Sequence, residues 1–155
     1  MADTDLSRPI EGPSVSDGMS LDLIRLADTT QSITVCVVLG QPAPDYFRAD
    51  ILIESHFVNA QVGIYLAVED IEEWARVLDR IEGEELTYSE TPLRVDWPSA
   101  GRDAYLRIVA DDPYVVEVHD APQTQIVVSV PLDLKDGWIE EARKQLTAAR
   151  AYLVA

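Results

Sequence analysis

The chain has a single cysteine, Cys36, among 155 residues. It can form no internal disulfide and no cysteine-based zinc site. Set in the apolar run Ile33 to Leu39, it reads as a small buried hydrophobe with no basic neighbour to activate a thiolate. Glycine is sparse as well. None of Gly40, Gly63, Gly83, Gly101 or Gly137 precedes a lysine and a hydroxyl at phosphate-loop spacing. No Gly-x-Ser-x-Gly elbow is present, which excludes the commonest serine-hydrolase layout. No apolar run reaches the roughly 18–20 residues that span a bilayer. Met1-Ala2-Asp3-Thr4-Asp5 lacks the basic and apolar regions of a secretory signal, so the expected location is the cytoplasm. Positive charge is the largest deficit. Lysine and arginine number 12 against 28 aspartates and glutamates, a formal charge of −16. That balance disfavours nucleic acid and anionic membranes as partners.

What is present is ordinary globular material, 47% hydrophobic and 26% charged, in a chain of one-domain length. Residues 1–20 carry prolines, glycines and hydroxyl residues without apolar periodicity and read as a flexible tail; residues 21–155 read as one β-rich domain. Leu21 to Ala27 and Ile33 to Leu39 are apolar runs joined by the polar turn Asp28 to Ser32. Ile51, Ile53, Ser55 and Phe57 share one face opposite Asp50, Leu52, Glu54 and His56, and Val62, Ile64 and Leu66 one face opposite Gln61, Gly63 and Tyr65. Four more strands are expected at Leu93 to Trp97, Ala104 to Ala110, Tyr114 to His119 and Gln125 to Leu132, and a short one at Leu86 to Tyr88.

Two segments switch to helical period. Ile71, Trp74, Ala75, Leu78 and Ile81 form a stripe that predicts a helix over 69–82, with Gly83 as terminator. Trp138, Ala142, Leu146, Ala149 and Leu153 predict a second over 136–153, with Asp136 as N-cap and Glu140 to Lys144 as an i,i+4 pair. The expectation is an α+β fold, mainly antiparallel β: a curled sheet, sandwich or incomplete barrel of eight or nine strands with two flanking amphipathic helices. Its two halves, about 21–82 and 86–153, each run strands first and helix last.

Catalytic and metal candidates are thin. His119 with Asp120, Asp111 and Asp112 could attract a hard cation, but acids in turns ordinarily bond the local backbone. Glu54 and His56 could act as an acid–base pair, yet no nucleophile or oxyanion donor accompanies them. Trp97 ends a strand beside Pro98 and reads as core, or as a partly exposed contact. The charge pattern says more. Nine acids and two arginines occupy residues 69–90. Such a surface suits solvation, and it also steers a basic protein partner. The residues expected to carry that contact are Glu69, Asp70, Glu72, Glu73, Glu84 and Glu85.

Particular segments then resemble a known group. Leu23-Ile24-Arg25-Leu26-Ala27-Asp28, Ala49-Asp50-Ile51 through Phe57-Val58, Asp70 with Trp74 and Leu78, Val130-Pro131-Leu132-Asp133-Leu134 and Gly137-Trp138-Ile139-Glu140 resemble a family of small actinobacterial proteins of unknown function, over about residues 21–153. The element order is also similar to immunity proteins paired with wall-associated, Rhs-type toxins. The resemblance implies an actinobacterial source, a compact β-rich domain and protection against a toxin. It brings no catalytic motif. The expected function is therefore a non-enzymatic, acidic protein-binding module, possible as an immunity protein against a basic toxin, with no cofactor and no metal. The rivals are a self-assembling structural component and a small-molecule-binding domain or enzyme with a cavity between sheets.

Overall fold

Apolar side chains that alternate with polar ones along a strand can bury one face only, so such strands pair into sheets that share a core. A computed structural model of the chain describes residues 20–40, 45–86, 90–99 and 103–154. The tail 1–19 and Thr87 and Tyr88 of the ninth expected strand lie outside these residues; Leu86 closes a helix instead. The first four strands are β1 (Ser20–Ala27), β2 (Ser32–Val38), β3 (Phe47–Glu54) and β4 (Ala60–Leu66), followed by helix α1 (Val68–Leu86). The second set is β5 (Leu93–Trp97), β6 (Tyr105–Ala110), β7 (Tyr114–Asp120) and β8 (Ile126–Leu132), followed by helix α2 (Trp138–Leu153). Each set is an antiparallel meander of four strands in chain order. The result is an α+β, sandwich-like fold of two sheets and two helices, with no closed barrel.

Inward-facing residues of both sheets build one core. Ile33, Val35 and Val37 of β2 stand opposite Ile53, Ile51 and Ala49 of β3, all fully or almost fully buried. In the second sheet Leu106 and Ile108 pair with Val118 and Val116. The helices exchange places: α1 packs chiefly on β5 of the second sheet, and α2 on β1 of the first. They also meet each other. Arg143, early in α2, bonds Asp79 and Glu82, late in α1, while Arg150 near the end of α2 bonds Glu72 near the start of α1. The two helices are therefore antiparallel.

Several local expectations change. Helix α1 runs through Gly83 to Leu86: no neighbour lies within 4 Å of a Cβ there, and Glu84, Glu85 and Leu86 are good helix formers, so one glycine does not stop it. Helix α2 starts at Trp138, and its N-cap is Gly137 in the left-handed region at φ 90°, with no side-chain cap; Asp136 is not the cap. Lys144 reaches Glu141 at 3.6 Å, one residue nearer than the expected Glu140. Strand β3 ends at Glu54, so Phe57 sits in the following turn and is 92% exposed. For Trp97 the core reading holds: the side chain is fully buried. Its Nε1–H donates to the Asp70 carbonyl at 2.8 Å, and its ring meets Trp74 edge-on at 5.8 Å. Each buried indole removes roughly 150–250 Å² from water, worth about 4–6 kcal/mol before entropy is subtracted.

Candidate functional site

The acids of α1 are a natural starting point, because the sequence concentrates charge there. The structure divides them. Asp70, at the third helical position, is buried and its Oδ2 accepts from the Ala67 amide at 2.8 Å, the reciprocal half of a capping box. Glu72 bonds Arg150 at 3.0 Å. Glu73 Oε1 accepts from the Ser99 amide at 3.0 Å. Glu69 is exposed at the first turn, where the positive helix end favours it. Glu84 and Glu85 lie at the other end, about 20 Å away at 1.5 Å per residue. The six residues are thus not one surface, and three of the first four hold the molecule together.

The C-terminal end of α1 is different. Its last turn contains Glu84 and Glu85 and no basic residue. The negative end of the helix dipole disfavours acids at this position. Glu85 accepts a short hydrogen bond from the Tyr114 hydroxyl. Burial, and then the Glu85 carboxylate beside it, push the Tyr114 pKa well above the ordinary tyrosine range, so the phenol stays a donor at neutral pH. Tyr114 meets Trp138 edge-on at 5.3 Å. Around this pair, Glu82 and Glu85 from α1 and Asp136 and Glu140 from the start of α2 line a depression of about 430 Å³, with Lys135 the one basic residue in its wall. Four carboxylates against one ammonium make it strongly anionic. Asp136 and Glu140 read in sequence only as a cap and a dipole partner; what links them to Glu85 is the antiparallel helix pair, a contact with no local sequence signal.

A larger groove of about 740 Å³ lies on the far side of Trp138, between α2 and the end of β1. Its charges are mixed: Arg25, Lys135 and Lys144 face Asp28, Asp136, Glu140 and Glu141. Asp28 anchors its edge. Its carboxylate accepts from the amides of Thr30 at 2.8 Å and Gln31 at 3.0 Å, and from Asp133 at 3.0 Å. The Asp133 amide first, with those of Thr30 and Gln31, holds the Asp28 pKa down at about 2.

The other sequence candidates do not assemble. His56 lies in the exposed turn after β3, and Glu54 accepts from Ser32 Oγ at 3.4 Å. His119 bonds Glu117 at 2.8 Å and stacks on Tyr105 at 4.6 Å, while Asp111 and Asp112 sit exposed in a turn. Among the described residues no group of three or more His, Cys, Asp or Glu side chains is placed to hold a metal ion. Cys36 is partly buried between Asp22 and Asp50 on neighbouring strands. Burial foremost, and those carboxylates, raise its pKa, the opposite of what a reactive thiolate needs. No helix among the described residues is long and apolar enough to cross a membrane.

These features define a two-sheet α+β protein made of two halves, each four strands and a helix, with its charged depressions at the helix–helix and helix–strand seams. The chain belongs to the family of unknown function DUF5959, whose match covers residues 21–154. Comparison with curated proteins and with solved structures finds no match.

Proposed function

We propose that this chain is a non-enzymatic protein-binding module that receives a basic partner at the acidic depression formed by Glu82, Glu85, Asp136 and Glu140. The supporting observation is the placement of Glu84 and Glu85 in the last turn of α1, against the helix dipole and without a basic residue in that turn. A position that works against local stability is where a functional role is to be sought. The net charge of −16 lets such a site draw a basic protein from a distance. The specific form proposed is an immunity-type protein of an actinobacterium that covers a basic toxin. Of the six acids singled out by sequence, Glu85 lines this depression; Glu84 shares its helical turn without being in the wall, and Glu69 stands apart at the far end of the helix.

The test is quantitative affinity capture with the intact chain and with an Asp136→Lys/Glu140→Lys variant, at low and moderate salt. The expected outcome is one basic protein held near one-to-one by the wild type, weakened by salt and lost with the variant, while the variant's melting temperature stays close to the wild type's. Equal capture by both chains would move the site elsewhere.

A second reading, self-association, rests on the outer strands. β1 and β5 are covered by helices, whereas β4 and β8 have no further strand beside them among the described residues. Pro131 removes a donor from β8 and blunts that edge, which leaves β4, where Tyr65 is 58% exposed. Sedimentation that shifts with concentration, and no longer does so in Tyr65→Lys, would favour this reading.

A further inference from the structure

Arginines in this protein are outnumbered, and most of those that touch another residue hold a carboxylate. Arg143 and Arg150 bridge the helices. Arg107 of β6 makes a bidentate pair with Asp96 on the facing strand, Nε to Oδ1 at 2.7 Å and Nη2 to Oδ2 at 3.1 Å. Against that background three arginines stand out. Arg76 and Arg80, one turn apart on α1, and Arg94 on β5 make no hydrogen bond or ion pair among the described residues. All three line one cavity of about 490 Å³ beside α1 and β5, and Arg107 is also in its wall.

The sequence places them there for definite reasons. On β5, Val95 and Trp97 point to the core, so Arg94 and Asp96 must point out. On α1 the i,i+4 spacing stacks Arg76 and Arg80 on one side, away from Glu82 and Glu85. The two carboxylates in the cavity wall are already engaged: Asp96 by Arg107, and Glu73 by the Ser99 amide. Against those two carboxylates stand four guanidiniums, so the cavity wall keeps a net positive charge. Like charges at i,i+4 repel by a few tenths of a kcal/mol, yet no carboxylate is bonded to Arg76, Arg80 or Arg94 among the described residues.

We propose that Arg76, Arg80 and Arg94, backed by Arg107, bind the phosphate group of a small soluble molecule, a phosphomonoester or a diphosphate. Guanidinium forks match the geometry of a phosphate's oxygens and can hold it from several sides. The cavity volume lies in the range of small-ligand sites. An acidic peptide is a poorer fit, because every further negative charge outside the cavity meets the field of a protein at −16. This site stands apart from the acidic depression and does not depend on it.

The experiment is calorimetric titration of the full chain at low ionic strength with inorganic diphosphate and with glycerol phosphate. Saturable one-to-one binding of at least one probe is expected. Arg76→Gln/Arg80→Gln and Arg94→Gln should each weaken it by about tenfold or more, the loss of a charge-assisted hydrogen bond. Arg48→Gln, on the exposed face of β3, should leave it unchanged. Parallel arms use a hexaglutamate peptide and vesicles containing phosphatidic acid. The proposal is overturned by no saturable binding of either soluble probe, by equal affinity in the cavity variants, by tighter binding of the peptide, or by binding to the vesicles alone. Because these arginines hold no structural bond, the variants should fold, and an unchanged melting temperature without ligand verifies that.

Discussion

The cavity between α1 and β5 and the groove between α2 and β1 are made by equivalent parts of the two halves, and they differ in bulk and in charge. The buried positions of α1 include Ile71, Trp74, Leu78 and Ile81; those of α2 are Ile139, Ala142, Leu146 and Ala149. The intervals are the same. The burial patterns of β4 and β8, the strands before each helix, are also identical. At matching places on the helices, then, Trp74 corresponds to Ala142. Beside α1 and β5 the open space is about 490 Å³; beside α2 and β1, where Ala27 and Ala142 line it, the space is about 740 Å³. The first space is arginine-rich and the second mixed. Two similar scaffolds thus present different surfaces once a few side chains change, which is how a duplicated architecture can diverge without losing its core.

The largest expected effects break the bulky side of this comparison. Trp74→Ala and Trp97→Ala should each cost about 3–5 kcal/mol, read from chemical denaturation. The milder Trp→Phe pair sharpens it. Trp97 donates to the Asp70 carbonyl, whereas Trp74 Nε1 is buried without a hydrogen-bond partner among the described residues. Trp97→Phe should therefore destabilise more than Trp74→Phe, by about 1 kcal/mol. Equal costs would mean that the Trp97 bond adds nothing.

A smaller effect tests how each half is tied to the other. The β1–β2 turn is held through Asp28, which accepts from Asp133 after β8; the β5–β6 turn is held through Ser99, which donates to Glu73 of α1. The Asp28 pKa is about 2 in the folded protein against 3.8 for an ordinary aspartate. A lowered folded-state pKa adds stability that is fully present above the unfolded value and is lost as pH falls toward 2. For a partly exposed carboxylate the loss should be about 1 kcal/mol. Asp28→Asn should flatten the stability curve between pH 5 and pH 2.

The smallest effect separates structural arginines from unengaged ones. Arg143→Ala, which removes bonds to Asp79 and Glu82 across the helix pair, should cost about 1 kcal/mol or less, since all three groups are partly exposed. Arg76→Ala and Arg80→Ala should change the melting temperature still less. If they destabilise as much as Arg143→Ala, these residues have a structural role that their lack of partners hides.

Legibility followed from how local each cause was. The Ile71–Ile81 stripe was readable because burial at helical period leaves its mark in one short window. The Glu84–Glu85 pair could be noticed as excess charge, but the company of Asp136 and Glu140 around Glu85 depends on a contact some 50 residues away in sequence. The role of Asp70 as a cap was missed because Glu69, Glu72 and Glu73 around it look like the same acidic run. Trp97 was ambiguous for a similar reason: a residue at the end of a strand is core or surface according to what lies over it.

By itself the amino-acid sequence determined the elements and their class: apolar period two for the strands, period near 3.6 for the helices, and a large negative charge. These depend on neighbours a few residues apart, where chain geometry fixes which side chains share a face. Only the tertiary structure decided that the helices exchange sheets and run antiparallel, that Arg143 and Arg150 neutralise much of the acidic run, and that Arg76, Arg80 and Arg94 are left together without partners. Those outcomes depend on which surfaces meet across long stretches of chain, and charge or apolarity alone does not select the meeting point.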